Sequence, residues 1–236
     1  MYQEKIVEKI VEKILDEAAK SAHFKDGVLD IRDRGYTHIT ADLSDVRVFK
    51  CANNQLTGLP NLPLCEELEC NNNLLTTLPE LPKCKWLDCQ NNRLTELPDL
   101  LLCKTLCCND NQLTKLPALP LCVSLYCNNN YLSILPDLLL CEWLYCTNNQ
   151  LIILPGLPAC SALNCYNNQL TTLPDLPLCK RIDCHNNQLT TLPLTLPKCE
   201  ELYCDNNQLT TLPKLSNYCY FTYNNNPIQE AVSELQ

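Results

Sequence analysis

The chain has 236 residues, a formal net charge of −9 and a hydrophobic fraction of 46%. That apolar content excludes a disordered polypeptide. The acidic balance argues against a nucleic-acid sleeve or an anionic-membrane anchor, since both need clustered Lys and Arg, and no apolar run reaches the roughly 18–20 residues that span a bilayer.

The N-terminal MYQEKIVEKIVEKIL carries charge throughout and is no secretory signal. Residues 4–20 are predicted to be helical. Ile6, Val7, Ile10, Val11, Ile14 and Leu15 form an apolar stripe, and Lys5–Glu8 and Lys9–Glu12 are favourable pairs three residues apart. Two readings stay open: a cap folded over the body that follows, which is favoured, or a dimerisation helix or partner-binding arm. Each EKIV tetrad advances about 40° beyond a full turn and drifts off a fixed seam, which disfavours a long coiled coil. Residues 28–45 are expected to form irregular strands joining this cap to the body.

From residue 46 the chain repeats. Cys51, Cys70, Cys89, Cys108, Cys127, Cys146, Cys165 and Cys184 recur every 19 residues. One extra residue near Leu194 makes the next step 20, to Cys204, and Tyr223 takes the place in the last unit. A second column precedes the first by five: Cys65, Cys84, Cys103, Cys122, Cys141, Cys160, Cys179 and Cys199. Counted from this column, the unit reads C-x-x-L-x-C-x-N-N-x-L-T-x-L-P-x-L-P-x. Position 9 is asparagine in all ten units, from Asn54 to Asn226, and position 11 is leucine in nine and Ile228 in the last. Leu43 matches position 17 of a degenerate earlier unit.

Over about residues 46–228 this pattern resembles a leucine-rich repeat array. The LPxLP half is similar to the short repeats of bacterial secreted effectors. The L-x-C-x-N-N half is similar to repeat proteins common in bacteria and in large DNA viruses of amoebae. Effectors that are ubiquitin ligases carry a separate catalytic domain after the repeats. This chain ends eight residues past Ile228, so that activity is not expected to carry over.

The residues themselves support the same architecture. Positions 3–7 alternate, as in Trp86-Leu87-Asp88-Cys89-Gln90, which places 4 and 6 inward and 3, 5 and 7 outward. Each unit then contributes one short strand, paired in parallel with its neighbours. The paired asparagines turn the chain, because asparagine tolerates the left-handed region and offers both donors and acceptors. Proline at positions 15 and 18 forbids a helical return, so an extended or polyproline-like wall is expected. The expected fold is a mostly β, α/β repeat solenoid: a curved array with parallel strands on one face and an N-terminal helical cap. Residues 1–45 form the cap segment, 46–228 ten repeats and 229–236 a short C-terminal cap. Proline at Pro227 would open that closing helix.

Both cysteine columns are read as core, since cysteine behaves as a small hydrophobe. Five residues span up to about 16 Å of extended chain, too far for a disulfide within a rung. Between rungs, equivalent atoms lie about 4.8 Å apart, against the ~3.8 Å between Cβ atoms that a disulfide prefers. A zinc site lacks C-x-x-C spacing and supporting histidines, and no metal or other cofactor is expected. Free buried thiols fit a reducing compartment, hence cytoplasm, including that of a host cell. Cys107 and Cys219 fall at outward positions 5 and 2, candidates for exposed thiols, although chance variation is the favoured explanation.

No catalytic set emerges and no enzyme is expected. His185 lies near Asp183 on one strand, where a shared proton is conceivable and solvated surface is favoured; no Gly-rich phosphate loop exists among 4 glycines. The outward strand face is the informative surface. It carries Trp86, Tyr126, Trp143, Tyr145, Tyr166 and Tyr203, a basic island at Lys180 and Arg181 beside His185, and acids at Glu66, Glu67, Glu69, Asp88, Glu200, Glu201 and Asp205. Clustered exposed aromatics are favoured binding anchors, although cross-strand stacking that merely stabilises a sheet produces the same pattern. The favoured function is non-catalytic recognition of a protein partner. The alternatives are self-assembly through the N-terminal helix, as a homodimer or within a larger particle, and a thiol-based metal or redox role.

Overall fold

The structure, a computed structural model, describes residues 12–228. The N-terminal part contains β1 (Ile14–Leu15), α1 (Glu17–His23), β2 (Phe24–Lys25), β3 (Val28–Asp30) and β4 (His38–Ile39). Ten strands of three residues follow, one per unit: β5 (Val48–Lys50), β6 (Glu67–Glu69), β7 (Trp86–Asp88), β8 (Thr105–Cys107), β9 (Ser124–Tyr126), β10 (Trp143–Tyr145), β11 (Ala162–Asn164), β12 (Arg181–Asp183), β13 (Glu201–Tyr203) and β14 (Tyr220–Thr222). With β3 and β2 they form one sheet of 12 strands in sequential order. Every pair from β3 to β14 is parallel, with position 4 facing position 4, as in Leu125–Leu144–Leu163. The array is the curved leucine-rich-repeat solenoid that the spacing predicts.

Each strand covers positions 3–5 rather than 3–7. The rungs remain bonded beyond it: Cys70 N donates to Asp88 O at 2.8 Å and Asn72 N to Gln90 O at 3.0 Å. The chain then turns at position 8, which has positive φ in every unit, for example 55° at Asn72 and 53° at Asn148. The two asparagines therefore divide the work. Position 8 supplies the left-handed residue and stays exposed, while position 9 is buried and bridges rungs. Asn130 Nδ2 donates to Cys108 O of the preceding rung and Cys127 O of its own at 3.0 and 3.3 Å. Its Oδ1 accepts from Leu113 N at 2.9 Å. Positions 12–17 run back without a helix, and a turn at positions 18 and 19 is closed by bonds such as Cys103 N to Leu100 O, 3.0 Å.

The core is a stack of columns: leucine at positions 4, 11 and 17, and cysteine at 1 and 6. All 19 cysteines are free and all but Cys107 are buried. The two columns differ chemically. Position 1 thiols donate to the carbonyl two residues on, as Cys65 Sγ does to Glu67 O at 3.2 Å. Position 6 thiols lie wholly inside, and burial pushes Cys89 and Cys127 well above the ordinary thiol range. A titration with a bulky thiol reagent is therefore expected to label at most Cys107 rapidly in the native protein and all 19 sulfurs after denaturation. Rapid native labelling of several sulfurs would contradict the buried columns.

The N-terminal segment departs from expectation. Residues 4–11 of the expected helix lie outside the described residues, and 12–16 are not helical. Ile14–Leu15 instead pairs in parallel with His38–Ile39, and Leu15 is buried. The helix begins only after Asp16, whose carboxylate caps it by accepting from Ala19 N at 2.8 Å. The described end of the apolar stripe, Ile14 and Leu15, thus lies in a strand before the helix cap and not in the helix. Residues 28–45 are more regular than expected. β3 is a full rung in register with β5, with Leu29 beside Phe49. Asn54 bonds to this turn as later asparagines do to theirs, through Ile31 O at 2.9 Å and Tyr36 N at 2.8 Å. The antiparallel β2–β3 hairpin, turning at Asp26 and Gly27 with φ of 52° and 81°, covers the sheet edge.

Cys219 also departs. Its N–H bonds to Ser216 O at 3.1 Å, the contact other units make from position 1, so Cys219 turns inward beside Cys199 and Tyr218 is left 96% exposed.

Candidate recognition face

The strands present positions 3, 5 and 7 on one face, at spacings of about 4.8 Å between rungs. Parallel register decides which side chains meet. At position 5, Tyr126 and Tyr145 stack with ring centroids 5.1 Å apart. At position 7, Tyr166 stacks on the imidazole of His185 at 4.4 Å and 14°. The aromatic strip steps from one column to the other at Asn164, whose side-chain oxygen is buried and has no partner among the described residues. Trp143, at position 3, is 39% exposed, the most open of the six aromatics expected here.

Charged groups border the strip. His185 Nδ1 lies 2.5 Å from Asp183 Oδ1, so the carboxylate orients the ring. The Arg181 guanidinium lies 5.4 Å from the Tyr203 centroid and 2.9 Å from Glu201, and Lys180 pairs with Glu200 at 3.1 Å. Arg181, Asp183, His185, Tyr203 and Asp205 thus line one shallow cleft. Tyr220, not foreseen, extends this group, with its ring 5.8 Å from Tyr203. Its position 3 in the last unit is the signal that marks it.

Trp86 is not part of the strip. Thr105 and Ser124 separate it from Trp143 in the same column, so the two indoles stand about 14 Å apart by strand spacing. Trp86 instead lines a second shallow cleft with Lys50, Glu67 and Glu69. Beside it, burial raises the Asp88 carboxyl, while the Lys85 ammonium lowers that of Glu66.

Cys107 is half-buried within this face. Burial, then the Asp88 carboxylate, push its thiol up to about 12. That is the opposite of what a nucleophile or metal ligand requires.

No protein-family model and no curated protein matches the sequence. Solved structures do. YopM of Yersinia pestis, a leucine-rich effector protein, matches with a TM-score of 0.75 and 32% identity over 87% of this chain and 61% of that one. YopM of Yersinia enterocolitica matches with a TM-score of 0.58 and 28% identity, over 86% and 56%. The functional domain of InlJ from Listeria monocytogenes, described as including a cysteine ladder, matches with a TM-score of 0.64 and 26% identity, over 79% and 45%. The chain therefore spans about three fifths of the YopM structures or less. In its columns, its turns and these likenesses, the chain is a leucine-rich repeat protein, similar to bacterial effector-type repeats.

Proposed function

We propose that the strand face is a non-catalytic surface for recognising a protein partner, with the strip from Tyr126 to His185 at its centre. The observation that carries this reading is Trp143. Its indole is 39% exposed beside a neutral aromatic stack, and charged groups gather on the rungs to either side. An open aromatic centre with a polar rim is the composition of a binding hot spot. Trp86, Tyr203, Lys180 and Arg181 serve as outlying contacts. The likeness to effector repeats and the free thiols agree with work inside a reducing host cytoplasm, and the charge of −9 favours protein over nucleic acid or membrane as partner.

The stacked pairs also favour a scaffold role for Tyr126, Tyr145 and Tyr166, and the two roles separate experimentally. The double variant Trp143→Ala, Tyr145→Ala is expected to lower capture of the partner from host lysate by about tenfold or more. Its melting temperature should stay within a few degrees, as expected for surface substitutions that remove little burial. Unchanged capture would remove this site, and a large fall in melting temperature would make the strip structural.

A further inference from the structure

A second exposed apolar feature lies off the strand face, on the edge where the chain turns back into the strands. Position 18 is proline in most units, but Leu101 and Leu139 replace it in two. With Leu102, Leu121 and Leu140 they form a stripe over three successive turns, 55%, 42%, 38%, 62% and 49% exposed for Leu101, Leu102, Leu121, Leu139 and Leu140. The leucines support no fold requirement there, since the inward residue of each turn is the neighbouring Leu100, Leu119 or Leu138.

The three turns read Leu101-Leu102-Cys103-Lys104, Pro120-Leu121-Cys122-Val123 and Leu139-Leu140-Cys141-Glu142. About the central turn the apolar pattern is palindromic and the charge reverses sign. Four other charges in this column pair with the adjacent rung: Lys85 with Glu66 at 2.5 Å, Lys180 with Glu200 at 3.1 Å. Lys104 and Glu142 stand two rungs apart with Val123 between, and among the described residues neither makes an ion pair. An isologous two-fold contact places each residue opposite its mirror position.

From this we infer that the Leu101–Glu142 edge is a self-complementary interface for a second copy of the chain. The two-fold axis passes the turn of Leu121 and Val123. Leu101 and Leu102 of one copy lie against Leu139 and Leu140 of the other, and Lys104 meets Glu142 twice. Exposed Asp99 and Asp137 border the stripe on its other side, so the contact is centred towards Lys104 and Glu142, where opposite charges meet. The contact takes in position 2 of three rungs and leaves positions 3, 5 and 7 of both copies open.

Sedimentation equilibrium of the full chain tests this. The expected mass is that of two chains. Lys104→Glu and Glu142→Lys should each weaken association by about tenfold or more, because each creates two like-charge contacts. Combining them restores the pairing, and the double variant should dimerise as the parent does. Leu121→Glu, which sets two carboxylates at the axis, should give monomer. Circular dichroism confirms that these surface variants are folded. A monomeric parent, a dimer indifferent to the single reversals, or a double reversal weaker than either single would overturn the proposal. None of these outcomes bears on the Trp143 strip.

Discussion

Raising the pH through 9 to 10 is expected to unfold the protein cooperatively. Burial pushes Cys65, Cys84, Cys122 and Cys141 up to about 12, and Cys51, Cys70, Cys89, Cys108, Cys127, Cys165 and Cys184 well above the ordinary value of 9.0. Folded thiols keep their protons where unfolded ones lose them. Their contribution to stability is complete below the unfolded value and declines as the pH climbs towards the folded ones. Each thiol then costs about 1.4 kcal/mol per pH unit. The eleven thiols act in the same direction, so the folded state loses stability steeply once the pH passes the unfolded value. Circular dichroism against pH should show a transition whose steepness corresponds to at least about five protons released. A spectrum unchanged to about pH 11 would contradict a core built from thiols.

Asn130→Ala is expected to destabilise the protein by about 3–6 kcal/mol in urea denaturation, since it leaves several buried backbone groups unpaired. The side chain is 5% exposed and holds Cys108 O, Cys127 O, Asn128 O and Leu113 N together across two rungs. Its neighbour gives the contrast. Asn129 is exposed, with φ of 55° and a bond to the Asp110 carboxylate at 2.7 Å. Asn129→Ala should cost about 1–2 kcal/mol, the penalty for a left-handed residue, and Asn129→Gly less. Equal costs at the two positions would show that the bridging bonds contribute little.

The array was legible because its constraints repeat. Ten copies of one spacing identify Leu125, Leu144 and Cys127 as inward, and alternation alone places Trp143 and Tyr145 outward. What the pattern leaves out is local. The unbroken column marks position 9, as at Asn130, as the residue that bonds buried backbone, whereas the left-handed role of position 8, as at Asn129, is read from the backbone dihedrals. The apolar pair Ile14 and Leu15 suits a helix or a strand; Asp16 opens the helix only after it, and the choice depends on the β4 strand that Leu15 meets. Cys219 moves inward because the last rung is slipped by one residue at its opening turn, which no spacing rule reveals. For the candidate site, register fixes the Tyr126–Tyr145 and Tyr166–His185 stacks, whereas the isolation of Trp86 depends on the small residues Thr105 and Ser124 between the indoles. The edge leucines carry a sequence signal, the loss of proline at position 18, that is visible only once that position is known to face outward.

The position 9 bridges have one more consequence. Each joins an atom of one unit to the equivalent place in the next, so no unit is tied to an absolute address in the chain. Excising residues 122–140 as a block would let Cys141 follow Leu121 and offer each bridging amide the equivalent acceptor one unit earlier, Cys108 O in place of Cys127 O for Asn149. Gene-level duplication or deletion of whole units thus preserves the bridging pattern, and the extra residue near Leu194 shows that the turn side absorbs a single insertion without loss of the Asn207 bridges. Reach can lengthen or shorten in the lineage without redesign, while the outward letters diverge independently.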